Sequence, residues 1–275
     1  MKKIFFAFCA VALLVSCADK PFVIVQMADT QLGFDAAVKG QVEGAVYVND
    51  LSHELGYLRR SVAGVCEINP DMVVFTGDQV HVTQDAEQWG AFDDAISAIP
   101  AEVDVRHLPG NHDVLISESS VDSTPFTDRY GSDRFVYQDK KVCIIGLNTN
   151  LIKYNDPSED EQYEWLKSVL ESADDDLVKL VFCHHPFFMT DIEEEDSYFP
   201  IQKDKRKKYF DLFAQNGVSA VYAGHRHDGF DGEYMGVAMK TTASVGYRLG
   251  ETPNSYRCIV IDKGQIVTDS LCVVE

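Results

Sequence analysis

Gly110-Asn111-His112-Asp113 is the stretch of sequence on which the fold assignment depends. It follows a short β-type run, residues 103–108, that ends at Pro109, so we expect a tight loop at the carboxyl end of a strand. Asn111 offers an amide oxygen to a metal, and His112 offers a proton donor one residue later. Alone, the tetrapeptide is also compatible with a plain turn, because glycine and asparagine both favour turns. Its meaning therefore depends on the rest of the chain.

Four other strand-like runs end in a residue type that binds metals. They end, in chain order, at Asp29, at Asp78, at His184 and at His225 with His227. One such ending is usually a helix cap or a satisfied core residue, but five at the same end of successive strands are hard to explain as caps. A mixed set of Asp, Asn and His suits Mn²⁺, Zn²⁺ or Fe and is too rich in nitrogen for Ca²⁺.

The segments between these runs predict alternating strands and helices. Helices are expected at about 43–68, 85–98 and 203–215, and residues 114–133 are expected to form a loop. A capping box at 158–161 is expected to open a further helix that bears Trp165, Leu166, Val169 and Leu170. A hairpin is expected at 134–147, a strand at 218–223, and a β-rich segment from 234 to 274. No linker interrupts the pattern, so residues 17–275 are predicted to form one α/β domain.

The net charge of the chain disfavours some classes of binding partner. The 275 residues carry a formal net charge of -20, and the isoelectric point is about 4.7. Nucleic acid duplexes and anionic membrane surfaces need basic patches, so both are disfavoured as partners. We interpret the acidity as a source of solubility.

The first residues are typical of an export signal. Lys2 and Lys3 precede an apolar run from Ile4 to Val15 that is too short to span a bilayer. Leu14-Val15-Ser16-Cys17 resembles the lipobox of bacterial lipoproteins, which implies that residues 1–16 are a signal peptide and that Cys17 is lipidated. The protein would then be held at the bacterial cell envelope by its lipid alone, facing the periplasm or the outside. An ordinary signal peptide or an uncleaved anchor is the alternative.

Five motifs together resemble a known family. Asp29-x-Gln31, Gly77-Asp78, Gly110-Asn111-His112-Asp113, His184-x-Pro186 and Gly224-His225-x-His227 resemble the five blocks of the calcineurin-like metallophosphoesterases. They occur in the family order over about residues 22 to 230. Each block is weak alone, but the ordered set is specific. A vertebrate member of this family shares the Gln of the first block and an acidic, aromatic stretch like 191–199. The resemblance implies a four-layer αββα sandwich, in which two β-sheets lie back to back between helices.

The resemblance also implies a site for two divalent metal ions, Mn, Fe or Zn. One ion would be held by Asp29, Asp78 and His227. The other would be held by Asp78, Asn111, His184 and His225, so that Asp78 bridges the two. Gln31 stands where the family usually has His, which leaves open whether it ligates and how tightly the first metal binds.

The chemistry expected of such a site is hydrolysis of a phosphate ester. Two cations about 3.5–4 Å apart acidify a bridging water and neutralise the phosphoryl oxygens, and the resulting hydroxide attacks phosphorus in line. His112 would donate a proton to the leaving oxygen. Asp113 is placed to orient His112.

Several other polar residues have a less definite role. His185 is interpreted as orienting a ligand or packing, and His81 as lining the pocket or lying on the surface. Structural roles are expected for His53 and His107. Arg248 and Arg257 are expected to be surface or structural residues rather than substrate contacts. The acidic run 193–196 is most simply a solvated loop; if it overhangs the site, it would disfavour highly anionic substrates.

The sequence thus predicts an envelope-anchored, dinuclear-metal-dependent phosphoesterase. Phosphomonoesters are favoured as substrates, either phosphorylated small molecules or phosphoproteins. The alternatives are a phosphodiesterase acting on nucleotides or lipids and a degenerate member that serves as a binding scaffold. The sequence does not indicate an oligomeric state.

Overall fold

The central strands bury side chains on both faces, and this explains the layered architecture. In β1 (Phe22–Met27), Ile24 belongs to one apolar cluster while Val25 and Met27 belong to another. In β2 (Met72–Thr76), Val74 and Val73 divide in the same way. Because successive side chains of a strand point to opposite faces, these strands need an apolar layer on each side.

The computed structural model describes residues 20–43 and 47–275. Its first sheet has the strand order β13 (Gln265–Val273), β12 (Ser255–Asp262), β1, β2, β3 (Asp104–Leu108). β1, β2 and β3 run parallel, whereas β12 is antiparallel to both of its neighbours. α2 (Ser52–Ile68) and α3 (Ala86–Ile96) provide the connections between the parallel strands. The predicted signal peptide and Cys17 lie outside the described residues.

The second sheet has six strands. Their order is β10 (Phe230–Tyr234), β11 (Val237–Thr241), β9 (Val218–Ala223), β8 (Val178–Phe182), β7 (Val142–Gly146), β6 (Phe135–Gln138). The four inner strands are parallel, and the two edge strands are antiparallel to their neighbours. α6 (Glu159–Ser172) and α7 (Lys203–Gln215) cover the outer face.

The four layers of the fold pack against one another through three apolar clusters. The middle cluster joins the inner faces of the two sheets, with Ile24 and Val74 from the first and Leu180 and Tyr222 from the second. α2 and α3 pack outside the first sheet, and α6 and α7 pack outside the second. Each fully buried side chain of this size contributes roughly 1.5–3 kcal/mol. The predicted four-layer αββα sandwich is confirmed. Within the described residues, no helix is long and apolar enough to cross a membrane.

The predicted hairpin and the strand at 218–223 are confirmed, as is α7 at its predicted bounds. The helix expected at 43–68 is shorter than predicted and begins at Ser52. The Asp50 carboxylate accepts from the Ser52 backbone N–H at 3.0 Å, a local bond that competes with helix before this point. A short helix, α1 (Phe34–Gly40), precedes it and was not predicted.

The loop expected at 114–133 contains regular structure. It holds a small hairpin, β4 (Leu115–Ser117) with β5 (Ser120–Asp122), and α4 (Thr124–Tyr130). Phe126 is fully buried and anchors α4, a tertiary contact that the polar sequence around it does not reveal. The expected capping box is also wrong, because the Ser158 hydroxyl does not cap α6. α5 (Thr149–Lys153), which begins just after β7, was not predicted either.

Candidate metal centre

The carboxyl ends of five parallel strands meet at one edge of the sandwich. Within the first sheet the Asp29 N–H donates to the Gly77 carbonyl at 3.2 Å. Within the second, the Gly224 N–H donates to the His184 carbonyl at 3.0 Å. The two sheets are joined where the His225 N–H donates to the Asp29 carboxylate, at 3.0 and 2.9 Å to its two oxygens. The loops that carry the predicted ligands are therefore held against one another.

The backbone is strained at most of the predicted ligands. Nine non-glycine residues among those described have a positive φ, and five of them are predicted ligands. They are Asp29 (φ 52°), Gln31 (38°), Asp78 (51°), His225 (66°) and His227 (57°). Such conformations cost about 1–3 kcal/mol each and persist where the surroundings impose them, typically at functional sites. The concentration of left-handed residues here is independent support for the site.

Two glycines of the motifs allow the ligands to approach closely. A Cβ on Gly110 would lie 2.1 Å from Oδ1 of Asp78 and 2.3 Å from its backbone nitrogen. A Cβ on Gly224 would lie 2.7 Å from Oδ2 of Asp29. These distances are shorter than any van der Waals contact, so a side chain at either position would displace a ligand.

Asp29, Asp78 and His227 form one group of buried ligand atoms, all within 4.8 Å of one another. The Nδ1–H of His227 donates to the Tyr247 carbonyl, which leaves Nε2 free to ligate, 3.5 Å from Oδ1 of Asp29. A backbone carbonyl behind a ligating His is the usual way in which its tautomer is fixed. This group is the set predicted for the first metal.

His184 is the centre of the second group. Its Nδ1–H donates to the Thr76 carbonyl at 2.9 Å, which leaves Nε2 free to ligate. That Nε2 lies 3.1 Å from Oδ1 of Asn111, 3.1 Å from Nδ1 of His225 and 3.4 Å from Oδ2 of Asp78. The structure thus brings together the four side chains predicted for the second metal.

His185 also contributes to this second group. Its ring lies 4.4 Å from the His225 ring, and a ligand atom of each lies within 4.8 Å of one on His184. Nδ1 faces the Thr149 hydroxyl at 3.3 Å, while Nε2 is buried without a hydrogen-bond partner. The structure therefore places His185 where it can support His225, as expected, or ligate, a role that the sequence ranked behind orienting a ligand or packing.

Unsatisfied polar atoms show that the residues fit a cation. Oε1 of Gln31 and Nε2 of His225 are buried and have no hydrogen-bond partner. Gln31 is only 2% exposed, and its side chain lines the same cavity as Asp78 and His227. A buried acceptor without a partner costs about 1–3 kcal/mol, which a metal ligand bond offsets. Asp, Asn, Gln and His side chains are suitable donors for borderline divalent metals.

The electrostatics of the site also favour added positive charge. Burial raises the pKa of Asp29 to about 6, although His227 and His184 act in the opposite direction. Burial opposes ionisation of Asp78 as well, but the neighbouring His184 and His112 imidazoles hold its pKa below the usual range. Burial lowers the pKa of His185 and of His225, which keeps both rings neutral, as metal ligands must be.

His112 lies beside the ligands rather than among them. Its backbone N–H donates to Oδ1 of Asp78 at 2.9 Å, and its Nδ1 lies 2.8 Å from the His81 carbonyl. Because a carbonyl only accepts, Nδ1 carries a proton, and Nε2 is the nitrogen that can exchange one with a substrate. The His81 ring stacks on His112 at 4.7 Å, so His81 supports His112.

The predicted contact between Asp113 and the His112 ring is wrong. Oδ1 of Asp113 accepts from the Gln79 N–H at 2.9 Å and the Val80 N–H at 3.3 Å, and Oδ2 accepts from the Gly110 N–H at 2.8 Å. The side chain turns inward because these backbone donors are buried and need an acceptor. Asp113 therefore fixes the two loops that carry Asp78 and Asn111, while the His81 carbonyl orients His112.

Three residues outside the predicted ligand set were expected to have structural or surface roles. The His107 ring stacks on the rings of Phe75 and Tyr130, with centroid separations of 5.0 and 4.0 Å, as expected of a structural residue. Arg257 is buried between the sheets, donating to the Thr242 hydroxyl at 2.9 Å and pairing with Asp269. Arg248 is exposed and lines a neighbouring cavity of about 410 Å³ with His53.

The cavity beside the ligand groups has walls that the sequence did not predict. Its volume is about 230 Å³. Besides predicted ligands and His112, it is lined by four apolar or aromatic side chains: Phe34, Tyr198, Phe199 and Leu249. Tyr198 and Phe199 lie in the acidic, aromatic stretch noted above, but no local pattern shows that this loop reaches the strand ends.

Comparison with known proteins agrees with this geometry. Residues 22–229 match the family model described as calcineurin-like phosphoesterase. The chain is 27% identical over 261 residues to a Mus musculus protein named serine/threonine-protein phosphatase CPPED1, covering 90% of this chain and 82% of the relative. The expected likeness to a vertebrate member is thereby confirmed.

Two solved structures have a similar fold. A dimetal phosphatase from Danio rerio gives a TM-score of 0.57 at 19% identity and covers 93% of this chain and 100% of its own. The purple acid phosphatase PPD1 from yellow lupin (Lupinus luteus) seeds gives a TM-score of 0.65 at 14% identity, covering 92% of this chain and 53% of its own. The five motif blocks, the ligand groups that they form and the match over residues 22–229 lead to one conclusion: the chain belongs to the calcineurin-like phosphoesterase family.

Proposed function

We propose that this protein is a dinuclear-metal-dependent phosphomonoesterase, anchored by lipid at the bacterial cell envelope. The observation that carries the catalytic part is the meeting of two buried ligand groups, with Asp78 between them, at the base of a cavity that His112 also lines. Asp29, Gln31, Asp78 and His227 would hold one ion. Asn111, His184 and His225 would hold the other together with Asp78.

The metals and the protein have separate tasks. When bound, two divalent ions, Mn, Fe or Zn, supply an acidified water as nucleophile and charge that neutralises the phosphoryl oxygens. The ligand side chains position the phosphoryl group so that water attacks opposite the leaving oxygen. The new bond joins the water oxygen to phosphorus, and the bond from phosphorus to the ester oxygen breaks. The products are an alcohol and inorganic phosphate.

His112 delivers the proton that the leaving oxygen needs. Its Nδ1 is held by the His81 carbonyl, so Nε2 donates when the ring is protonated. The His112 backbone N–H donates to the Asp78 carboxylate, which holds His112 beside this predicted ligand. General acid catalysis of this kind contributes typically 10²–10⁴-fold to the rate.

Two observations support a monoester rather than a diester as substrate. The relatives are named serine/threonine-protein phosphatases, which act on monoesters. The cavity of about 230 Å³ suits one phosphoryl group with a small leaving group better than two esterified groups. Phosphorylated small molecules and phosphoproteins are both retained as substrates, with nucleotide or lipid diesters as the alternative.

Activity assays on the metal-reconstituted protein test the catalytic proposal. With Mn²⁺, Zn²⁺ or Fe²⁺ added, p-nitrophenyl phosphate should be hydrolysed faster than bis(p-nitrophenyl) phosphate. His184→Ala and His227→Ala should lose bound metal and activity together, whereas His53→Ala, outside the site, should keep both. Faster hydrolysis of the diester would replace the proposal with the alternative. The absence of hydrolysis of either ester by the metal-reconstituted wild-type protein would favour a binding scaffold.

The envelope location rests on Leu14-Val15-Ser16-Cys17. Cys17→Ser should remove the lipid and move the protein from the membrane fraction to the soluble fraction. The same shift should not follow Cys66→Ser. Wild-type protein that is wholly soluble and begins at another residue would contradict lipidation at Cys17.

A further inference from the structure

The walls above the metal ligands are mainly aromatic. Phe34 lies on one side, with its ring 5.7 Å from the His227 ring and 5.3 Å from the His81 ring. Tyr198 and Phe199 lie on the other side, 5.3 and 5.5 Å from the His225 ring. A substrate that occupies this cavity would therefore meet aromatic side chains in its walls.

The Tyr198 side chain is exposed to solvent rather than buried in the core. Its side chain is 63% exposed, and Leu249, which lines the same cavity, is 54% exposed. Large apolar side chains grouped at the mouth of a cleft are typical of ligand contacts rather than of a folding core. Phe34 is fixed from behind by the edge of the Tyr247 ring at 5.0 Å.

The charges around the cavity disfavour an anionic leaving group. Among the described residues that line it, none is Lys or Arg. The loop that carries Tyr198 also carries the acidic run Glu193–Asp196. Three carboxylates of this run pair with basic side chains, Glu193 with Lys207, Glu195 with Lys203 and Asp196 with Arg206, so the run adds little free charge. A second negative group on the substrate would still find no cation in the cavity wall, so the leaving group best suited to this cavity is uncharged.

The loop bearing Tyr198 is held in place by two basic side chains. Lys153 donates to the Ser197 and Pro200 carbonyls at 3.1 and 2.5 Å. Arg206, which is fully buried, donates to the Ile201 and Glu194 carbonyls at 2.8 and 2.6 Å. Because the loop is tied on both sides of Tyr198, its ring is positioned before substrate arrives, and binding then orders less of the protein.

We propose that the enzyme prefers phosphomonoesters whose leaving group is uncharged and planar, and that Phe34 and Tyr198 select it by ring contacts. Tyr198 is then a specificity-determining residue. This inference rests on the proposed phosphomonoesterase function and names the substrate class of that same site.

Benzyl phosphate and cyclohexylmethyl phosphate provide a matched test. Both release a primary alcohol of similar basicity, and they differ in whether the six-membered ring is planar. The wild-type enzyme should favour benzyl phosphate in kcat/KM by about 3–10-fold, the range that aromatic pairs add beyond buried area. The difference should lie mainly in KM, because the ring contacts are made before the chemical step. A carboxylate on the benzyl ring should lower kcat/KM.

Variants assign the preference to the aromatic walls. Tyr198→Leu should bring the ratio of the two substrates close to one, and Tyr198→Phe should keep the wild-type ratio. Phe34→Leu should lower the ratio as well. Tyr137→Leu is the control, since this ring packs on Phe22 at the opposite end of β1.

The outcomes separate this inference from the proposed function. If the wild-type enzyme hydrolyses both substrates equally, or if Tyr198→Leu and Phe34→Leu keep the wild-type ratio, the inference is overturned while the phosphomonoesterase function stands. If neither ester is hydrolysed by the metal-reconstituted protein, the proposed function fails and the inference fails with it.

Discussion

Gly110→Ala should damage the metal centre through a single added methyl group. The new Cβ would lie 2.1 Å from Oδ1 of Asp78 and 2.3 Å from the Asp78 backbone nitrogen. Carbon and oxygen atoms need more than 3 Å, so the Asp78 loop or the Gly110 loop must move by about 1 Å. The backbone nitrogen cannot swing aside as a flexible side chain would. Either movement displaces a predicted ligand, Asp78 in one loop or Asn111 in the other.

The size of the effect follows from that displacement. Metal ligands tolerate deviations of roughly 0.2 Å, and a misplacement of about 1 Å can cost 10²-fold in rate. We expect Gly110→Ala to lower kcat/KM on p-nitrophenyl phosphate by at least about 10²-fold and to lower the metal content per chain. Metal content by mass spectrometry and activity should be measured on the same preparation.

Gly90→Ala is the matched control for this experiment. Gly90 lies inside α3, and nothing comes within 4 Å of an added Cβ. Alanine there should leave activity unchanged and raise the free energy of unfolding by about 0.5–1 kcal/mol. Metal content and kcat/KM of Gly110→Ala within threefold of wild type would refute the reasoning from close approach.

Three further predictions concern single side chains. His112→Ala should keep most bound metal and lose about 10²–10⁴-fold in activity, because its role lies in proton donation; full turnover on an ester with a poor leaving group would contradict that role. Gln31→His should retain more metal after mild chelation than wild type, because an imidazole is a better ligand than an amide oxygen for Zn²⁺ or Fe²⁺; equal retention would show that Gln31 does not weaken the site. Burial lowers the pKa of His107 to about 3, so the unfolded chain binds a proton there before the folded protein does. The free energy of unfolding should fall as the pH drops from about 6.5 toward 3, by up to about 1.4 kcal/mol per pH unit from this group. His107→Phe should make that slope shallower in urea titrations, and an unchanged slope would refute the assignment.

The parts of the fold that sequence predicted share one property: their signal is local and repeated. Apolar runs such as those of β8 and β9 are largely buried and are followed by a predicted ligand residue. The length of each run predicts the strand, and the residue that follows it predicts where the site lies. α1, α4 and α5 are short helices in polar surroundings, of five to seven residues, and carry no such repeat. Phe126 anchors α4 from a position that only the folded chain explains.

The candidate site also has features that local sequence predicts and features that it does not. The meeting of these side chains could be predicted because the motif blocks place Asp, Asn and His at strand ends. The partner of His112 could not, because Asp113 is adjacent in sequence while the acceptor is the His81 carbonyl, 31 residues away. Tyr198 was likewise out of reach, since its position depends on Lys153 and Arg206, which hold the loop from other elements.

Predicted ligand residues with a left-handed backbone conformation connect the fold to the function. Asp29, Asp78 and His225 each occupy a conformation that costs about 1–3 kcal/mol, and each is held there by hydrogen bonds from another strand end. The strain therefore cannot relax unless several loops separate together. In this strained form the ligand atoms of each group lie within 4.8 Å of one another, so a cation that ligates them stabilises it. Metal binding and the integrity of this edge of the sandwich should consequently rise and fall together, which is why the ligands are carried on the rigid ends of strands rather than on longer loops.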